Sequence, residues 1–273
     1  MTTNHSVPVK KGILLVAFGT RTPQALAAYQ HVELRAQADF PGISIQWAFT
    51  STKSVRANNH SPLIGQHIDS VEMSLARMMG EGISHLAVQA LHIISGKEHH
   101  DLTINCHLFG QMRGGFRQVM MGLPLLGTGD DMEKVTAALV SAVPQERKPQ
   151  EAVIFMGHGS PHPANACYTA LMYHLQQLDS NIFVGTMSGR PGIADICASL
   201  QKQKITSAYL LPCLAVVGNH TLKDMAGDNE NSWKSIIEKN GVSCKPILKG
   251  LAEYDTIVDI WLDHLKTVVG AFS

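Results

Sequence analysis

Residues 152–160 read AVIFMGHGS, and the fold is argued outward from them. Five mostly apolar residues, Ala152 to Met156, follow one another without polar alternation. Such a run suits a central parallel strand covered on both faces. The chain is then expected to break at Gly157-His158-Gly159-Ser160. The two glycines allow a tight turn with close backbone approach, which would lift the His158 imidazole out at the carboxyl end of the strand. Ligands bind at that end in open parallel α/β sheets. His158 is therefore the first candidate for chemistry.

Residues 12–20, GILLVAFGT, echo this pattern: an apolar strand, then Gly-Thr where the later stretch has Gly-His-Gly-Ser. From here strands and helices alternate. A helix is expected over 25–38, capped by Thr20 or Thr22, then a strand over 43–48 and a helix over 63–79 after the loop 58–61. A strand at 85–94 (HLAVQALHII), a helix opened by residues 95–101, a strand at 119–126 and a helix at 132–143 capped by Asp130-Asp131 complete the first half. The polar stretch 145–151 is the best boundary. The second half repeats the order, with strands at 152–156, 182–187 and 207–217, a short strand near 245–248, and helices at 165–178, 193–203 and 231–240. Ile257, Trp261, Leu265 and Val268 recur at helical spacing within 253–272. That amphipathic segment predicts a helix packing back across the first half.

The pattern predicts an α/β fold of two similar parallel-sheet domains, with helices on both faces and a cleft between them. The divisions expected are 8–146, 147–251 and a returning C-terminal helix at 252–273. A composition of 45% hydrophobic and 16% charged residues belongs to a globular chain rather than a disordered one. Lys+Arg and Asp+Glu each total 22, so no charge excess points to nucleic acid or anionic lipid. The five cysteines are scattered without CxxC spacing, which argues against a disulfide framework or a thiolate zinc site. The apolar run at 12–18 is too short for a membrane span or a signal-peptide core. A cytoplasmic protein is expected as the sequence is written, or a periplasmic one if a leader precedes Met1.

Fourteen histidines against 6% aromatic residues is the compositional oddity, and it hints at metal or tetrapyrrole chemistry. His158 and His220 each fall just past the carboxyl end of an expected strand in the same half. If those strands are neighbours, the imidazoles could be paired ligands for a divalent first-row metal, or a ligand and a general base. The spacing fits two unrelated loop histidines equally well. Glu98, His99 and His100 open a helix in the first half, where an acidic residue also suits the helix dipole. His92, inside an expected strand, reads as a hydrogen-bonded core residue, and His60, His107 and His162 have no constellation. Nucleotide binding lacks its usual signatures, because neither GxGxxG after a strand nor GxxxxGK[ST] occurs.

Several of these segments resemble a known family: GILLVAFGT at 12–20, VQALHIISG at 88–96, GLPLL at 122–126 and VIFMGHG at 153–159. HTLKDMAG at 220–227, Ser232-Trp233-Lys234 and Leu248-Lys249-Gly250 extend the likeness in order along the chain. They are similar to the anaerobic sirohydrochlorin cobaltochelatases, the class II cobalt chelatases of cobalamin biosynthesis. The likeness is greatest to versions in sulfate-reducing bacteria, some of which are exported and bind haem between subunits. The resemblance implies a bilobed, ferrochelatase-like fold and ATP-independent insertion of Co²⁺ into sirohydrochlorin, with Fe²⁺ or Ni²⁺ as alternative metals. It implies that His158 is proton acceptor and metal ligand, His220 the second ligand, and Glu98 a carboxylate on the opposite wall. His100 matches the haem-binding histidine of the exported relatives, which implies a haem at the interface of a homo-oligomer. Two positions depart from the family pattern. Ser188 stands where an acidic metal ligand is usual, and Asn219 where aspartate often accompanies the histidine. Ser188, together with His99-His100, motivates a rival reading, a non-catalytic tetrapyrrole, haem or metal carrier derived from a chelatase.

Overall fold

Alternate residues of the two central strands serve different cores, which is why their apolar runs do not alternate with polar residues. In β1 (Lys11–Ala17), Ile13, Leu15 and Ala17 join one buried cluster, while Leu14 and Val16 join another. In β6 (Ala152–Gly159), Val153 and Phe155 face the first cluster, and Ala152, Ile154 and Met156 face a third. Both strands are buried on two sides, as parallel sheets sandwiched by helices require. The structure is a computed structural model and describes residues 9–58 and 68–272.

Strand β1 sits inside a parallel sheet with β2 (Ser44–Phe49), β3 (Asp69–Ser70), β4 (His85–Ala90) and β5 (Gln118–Met121), in the order β3-β2-β1-β4-β5. Strand β6 sits between β7 (Ile182–Ser188) and β8 (Ser207–Cys213), with β9 (Ser243–Pro246) outermost, in the order β7-β6-β8-β9. The second sheet thus repeats the first without its edge strand. The N-terminal half carries helices α1 (Pro23–Asp39), α2 (Thr52–Asn58), α3 (Val71–Gly80), α4 (Lys97–Gln111) and α5 (Gly129–Ser141). The C-terminal half carries α6 (Ala166–Leu178), α7 (Ile193–Lys202) and α8 (Trp233–Lys239). Helix α9 (Asp255–Gly270) returns to pack on α5, β4 and β5. It buries Ile257, Trp261, Leu265 and Val268 in the cluster that holds Ile13, Leu15, Val153 and Phe155. One core therefore runs under both sheets.

Several expected boundaries are corrected. The strand at 152–156 does not break at Gly157 but continues through His158, with Gly159 opposite Ser188 of β7. The strand expected at 85–94 ends at Ala90, and that at 119–126 ends at Met121. Beyond them Leu91, Ile93, Ile94, Leu125 and Leu126 are buried without being sheet, and Leu125 and Leu126 donate backbone hydrogen bonds to His92 and Ile93 carbonyls at 2.9 Å. The strand at 207–217 likewise stops at Cys213. In the region expected to be a helix over 63–79, β3 intervenes and α3 begins at Val71, where Ser70 Oγ accepts from Met73 N; residues 63–67, His60 and the end of the loop 58–61 lie outside the described residues. Residues 52–58 form α2, a helix unmarked in the sequence pattern. Helix α5 is capped by Thr128, whose Oγ1 accepts from Asp131 N, rather than by Asp130-Asp131. The cap of α1 is Thr22, without a side-chain hydrogen bond to the helix.

Candidate active site

The carboxyl ends of β1, β2, β4, β6, β7 and β8 converge on a cleft of about 610 Å³ between the two sheets. That volume lies within the range that holds small ligands and cofactors. Its C-terminal wall carries His158, Ser160, Ser188, Asn219 and His220; its N-terminal wall carries Arg21, Lys53, His92, Lys97, Glu98 and His99.

His158 reaches the cleft because both flanking residues must be glycine. A Cβ on Gly157 would lie 2.5 Å from the Tyr168 ring, and Gly159 has φ +77° with Ser188 O only 2.0 Å from where its Cβ would be. Side chains at these sites would force the strand end away from α6 and β7. The exposed His158 ring places Nδ1 3.0 Å from its neighbour's carbonyl, Gly159 O. A ring nitrogen facing a carbonyl carries the proton, so the Nε2 lone pair is left for the cleft.

His220 begins a π-helical turn (His220–Met225) that follows β8 after a loop. Its Nδ1 lies 2.6 Å from Asp224 Oδ2, which again directs the free lone pair to Nε2. The His158 and His220 rings meet edge to face with centroids 5.1 Å apart. Asn219 does not partner His220; the carboxylate comes from one turn further along. Among the described residues no group of three His, Cys, Asp or Glu side chains is placed to hold a metal ion. The C-terminal wall offers two imidazoles and the Ser188 hydroxyl. Such a donor set suits a divalent ion that must bind and then leave.

Glu98 faces them from the first turn of α4. Thr50 Oγ1 donates to its Oε2 at 3.1 Å, and His92 Nε2 lies 3.5 Å from the same oxygen. Burial alone would raise the Glu98 carboxyl, but the adjacent His92 imidazole, the Thr50 hydroxyl and the His158 charge together hold it below its ordinary value. It is ionised at neutral pH. His99 is pushed down to about 4 by burial and by the His92 ring beside it, so it is a neutral imidazole in the cleft wall.

The structure therefore brings His158, His220, Glu98 and Ser188 into one cleft, and His100 is not among its lining residues. His100 is exposed on the outer side of α4. The core reading of His92 is corrected: it lines the cleft, and neither ring nitrogen has a hydrogen-bond partner of good geometry among the described residues. Two nitrogens left without full hydrogen bonds in a buried position are costly and mark a site rather than a core. The error follows from the strand's early end at Ala90, which puts His92 beyond the sheet. His162 has a local role instead, its Nδ1 accepting from Ala164 N at 3.2 Å. Sequence reading missed Arg21, Lys53 and Lys97 and gave His99 no separate role. The available signal was positional, since each follows the carboxyl end of a parallel strand.

The family described as cobalt chelatase (CbiK) matches residues 11–270 of the chain. A sirohydrochlorin cobaltochelatase, CbiKC, of Nitratidesulfovibrio vulgaris is 42% identical over 269 residues, covering 98% of this chain and 94% of that protein. A sirohydrochlorin cobaltochelatase of Salmonella typhimurium is 31% identical over 258 residues, covering 94% of this chain and 96% of that protein. Among solved structures, the sirohydrochlorin chelatase SirB of Bacillus subtilis subspecies spizizenii, in complex with cobalt, superposes with a TM-score of 0.63. It is 14% identical and covers 96% of each chain, which speaks to the fold alone.

Proposed function

The chain belongs to the cobalt chelatase (CbiK) family, and on that premise we propose that it inserts Co²⁺ into sirohydrochlorin without a nucleotide, using the paired imidazoles of His158 and His220. The carrying observation is the placement of two Nε2 lone pairs, on rings 5.1 Å apart, across a cleft from an ionised Glu98.

Replacing two pyrrole N–H protons by a divalent cation requires a place for the metal and acceptors for two protons. A single imidazole lone pair cannot hold a metal and a proton together, so His158 acts in sequence. It shares Co²⁺ with His220, and once the ion passes to the macrocycle its freed Nε2 takes one proton. Glu98, on the facing wall, accepts the other. Neutral ligands support this order, because a site rich in carboxylates would hold the ion more firmly against transfer. Arg21, Lys53 and Lys97 line the N-terminal wall, and none of the cleft-lining residues of the C-terminal half is Arg or Lys. We assign these cations to the peripheral carboxylates of the tetrapyrrole, with the macrocycle seated on the N-terminal half and the metal delivered from the C-terminal half.

Family membership does not favour the carrier reading prompted by Ser188. A haem ligated by His100 is a separate proposal, supported by its exposure one turn before Ile104 and two before Leu108, both exposed on α4. These residues offer a ligand and an apolar shelf, and a second copy of the chain would have to cover the group. Anaerobic incubation with Co²⁺ and sirohydrochlorin tests the main proposal. The tetrapyrrole's visible spectrum is expected to convert to that of the cobalt complex faster than without protein. Tight binding of the tetrapyrrole at the uncatalysed insertion rate would instead establish the carrier.

A further inference from the structure

We propose that Asp224 is a positioning residue for the metal: it fixes the His220 imidazole with Nε2 toward the cleft and makes His220 the firmer of the two ligands. The inference rests on the reading of the cleft as a metal-inserting site. The two imidazoles are backed differently. His158 Nδ1 meets the neutral carbonyl of Gly159 at 3.0 Å, whereas His220 Nδ1 meets the carboxylate of Asp224 at 2.6 Å. A carboxylate behind a ligating imidazole locks the ring's orientation and strengthens it as a donor more than a carbonyl does.

The turn is built to hold this pair. His220 and Asp224 project outward from the π-helical turn, while Thr221 and Met225 are buried beneath it. The wide turn is closed by Ala226 N donating to Thr221 O at 3.1 Å, and Leu222 N donates to Gly218 O at 3.0 Å at its entry. A single π turn of this kind recurs at functional sites because it redirects side chains that an α-helix would space differently. With Ser188 neutral, Asp224 is the carboxylate that bonds directly to the imidazole pair among the described residues. The anionic charge that a metal site often carries in a ligand stands here behind one. This geometry divides the labour: His220 retains the ion, and His158, with a neutral backing, releases it and takes a proton.

The test measures Co²⁺ affinity of the full chain calorimetrically without tetrapyrrole, together with the Co²⁺ and tetrapyrrole KM values. Asp224→Asn is expected to weaken Co²⁺ binding about 10- to 100-fold and to raise the Co²⁺ KM, leaving the tetrapyrrole KM unchanged. Asp224→Glu should recover part of the loss. In a Ser188→Glu background, which supplies a charge at the metal itself, Asp224→Asn should cost less than in wild type. Unchanged Co²⁺ affinity in Asp224→Asn would overturn the proposal. So would equal losses in the two backgrounds with a lowered melting temperature, the signature of a merely structural role. Asp224-dependent Co²⁺ binding in a wild type that fails to insert cobalt would uphold the proposal and defeat the chelatase reading.

Discussion

The His99 imidazole, displaced from 6.5 to about 4 by burial and by His92, couples the cleft to pH. Its folded value is depressed, so between pH 6.5 and about 4 the unfolded chain binds more protons than the folded one. Stability is present in full above the unfolded value and is lost as pH falls through that window. Urea unfolding at pH 7, 5.5 and 4.5 should show a shallower acid loss in His99→Gln than in wild type, and identical slopes would contradict this account. The residues with chemistry were unequally legible. His158 announced itself through glycines whose necessity the geometry explains, one against the Tyr168 ring and one at φ +77°. His92 and His99 did not, because their burial and mutual approach arise from strand and loop ends that no local pattern marks.

Strand interiors could be read, and strand ends could not. The central runs of β1 and β6 are apolar because each faces two cores, and that demand is local to the strand. Leu91, Ile93, Ile94 and residues 214–216 are apolar for another reason: they line the cleft after leaving the sheet, while Leu125 and Leu126 are buried in the core beyond β5, and hydrophobicity does not distinguish these kinds of burial from a strand's. Helix α9 was legible from its 3.6-residue spacing, and its consequence reaches both halves. Trp261 is fully buried in the cluster shared by β1 and β6. Trp261→Ala should cost about 3–5 kcal/mol. The loss should appear as one cooperative unfolding transition moved to lower denaturant; a variant that separates into two transitions would show that the halves are independent.

Across the whole molecule the cleft is electrically lopsided. Arg21, Lys53 and Lys97 line the N-terminal wall, whereas the C-terminal wall has the His158 and His220 pair and no Arg or Lys; the proposed seats of tetrapyrrole and metal therefore lie on different halves of a repeated fold. Arg21→Gln with Lys53→Gln should raise the KM for sirohydrochlorin several-fold and weaken its salt dependence, with the Co²⁺ KM unmoved. Equal changes in both KM values would contradict the division. None of the helices among the described residues is long and apolar enough to cross a membrane. The central claim is that the imidazole pair carries the insertion. Its most direct test is the anaerobic rate of cobalt insertion into sirohydrochlorin by wild type, His158→Ala and His220→Ala, with tetrapyrrole affinity measured alongside. The account predicts losses of about 10²-fold or more in His158→Ala, a raised Co²⁺ requirement in His220→Ala, and unchanged tetrapyrrole binding in both. Wild-type turnover retained by His158→Ala would contradict it.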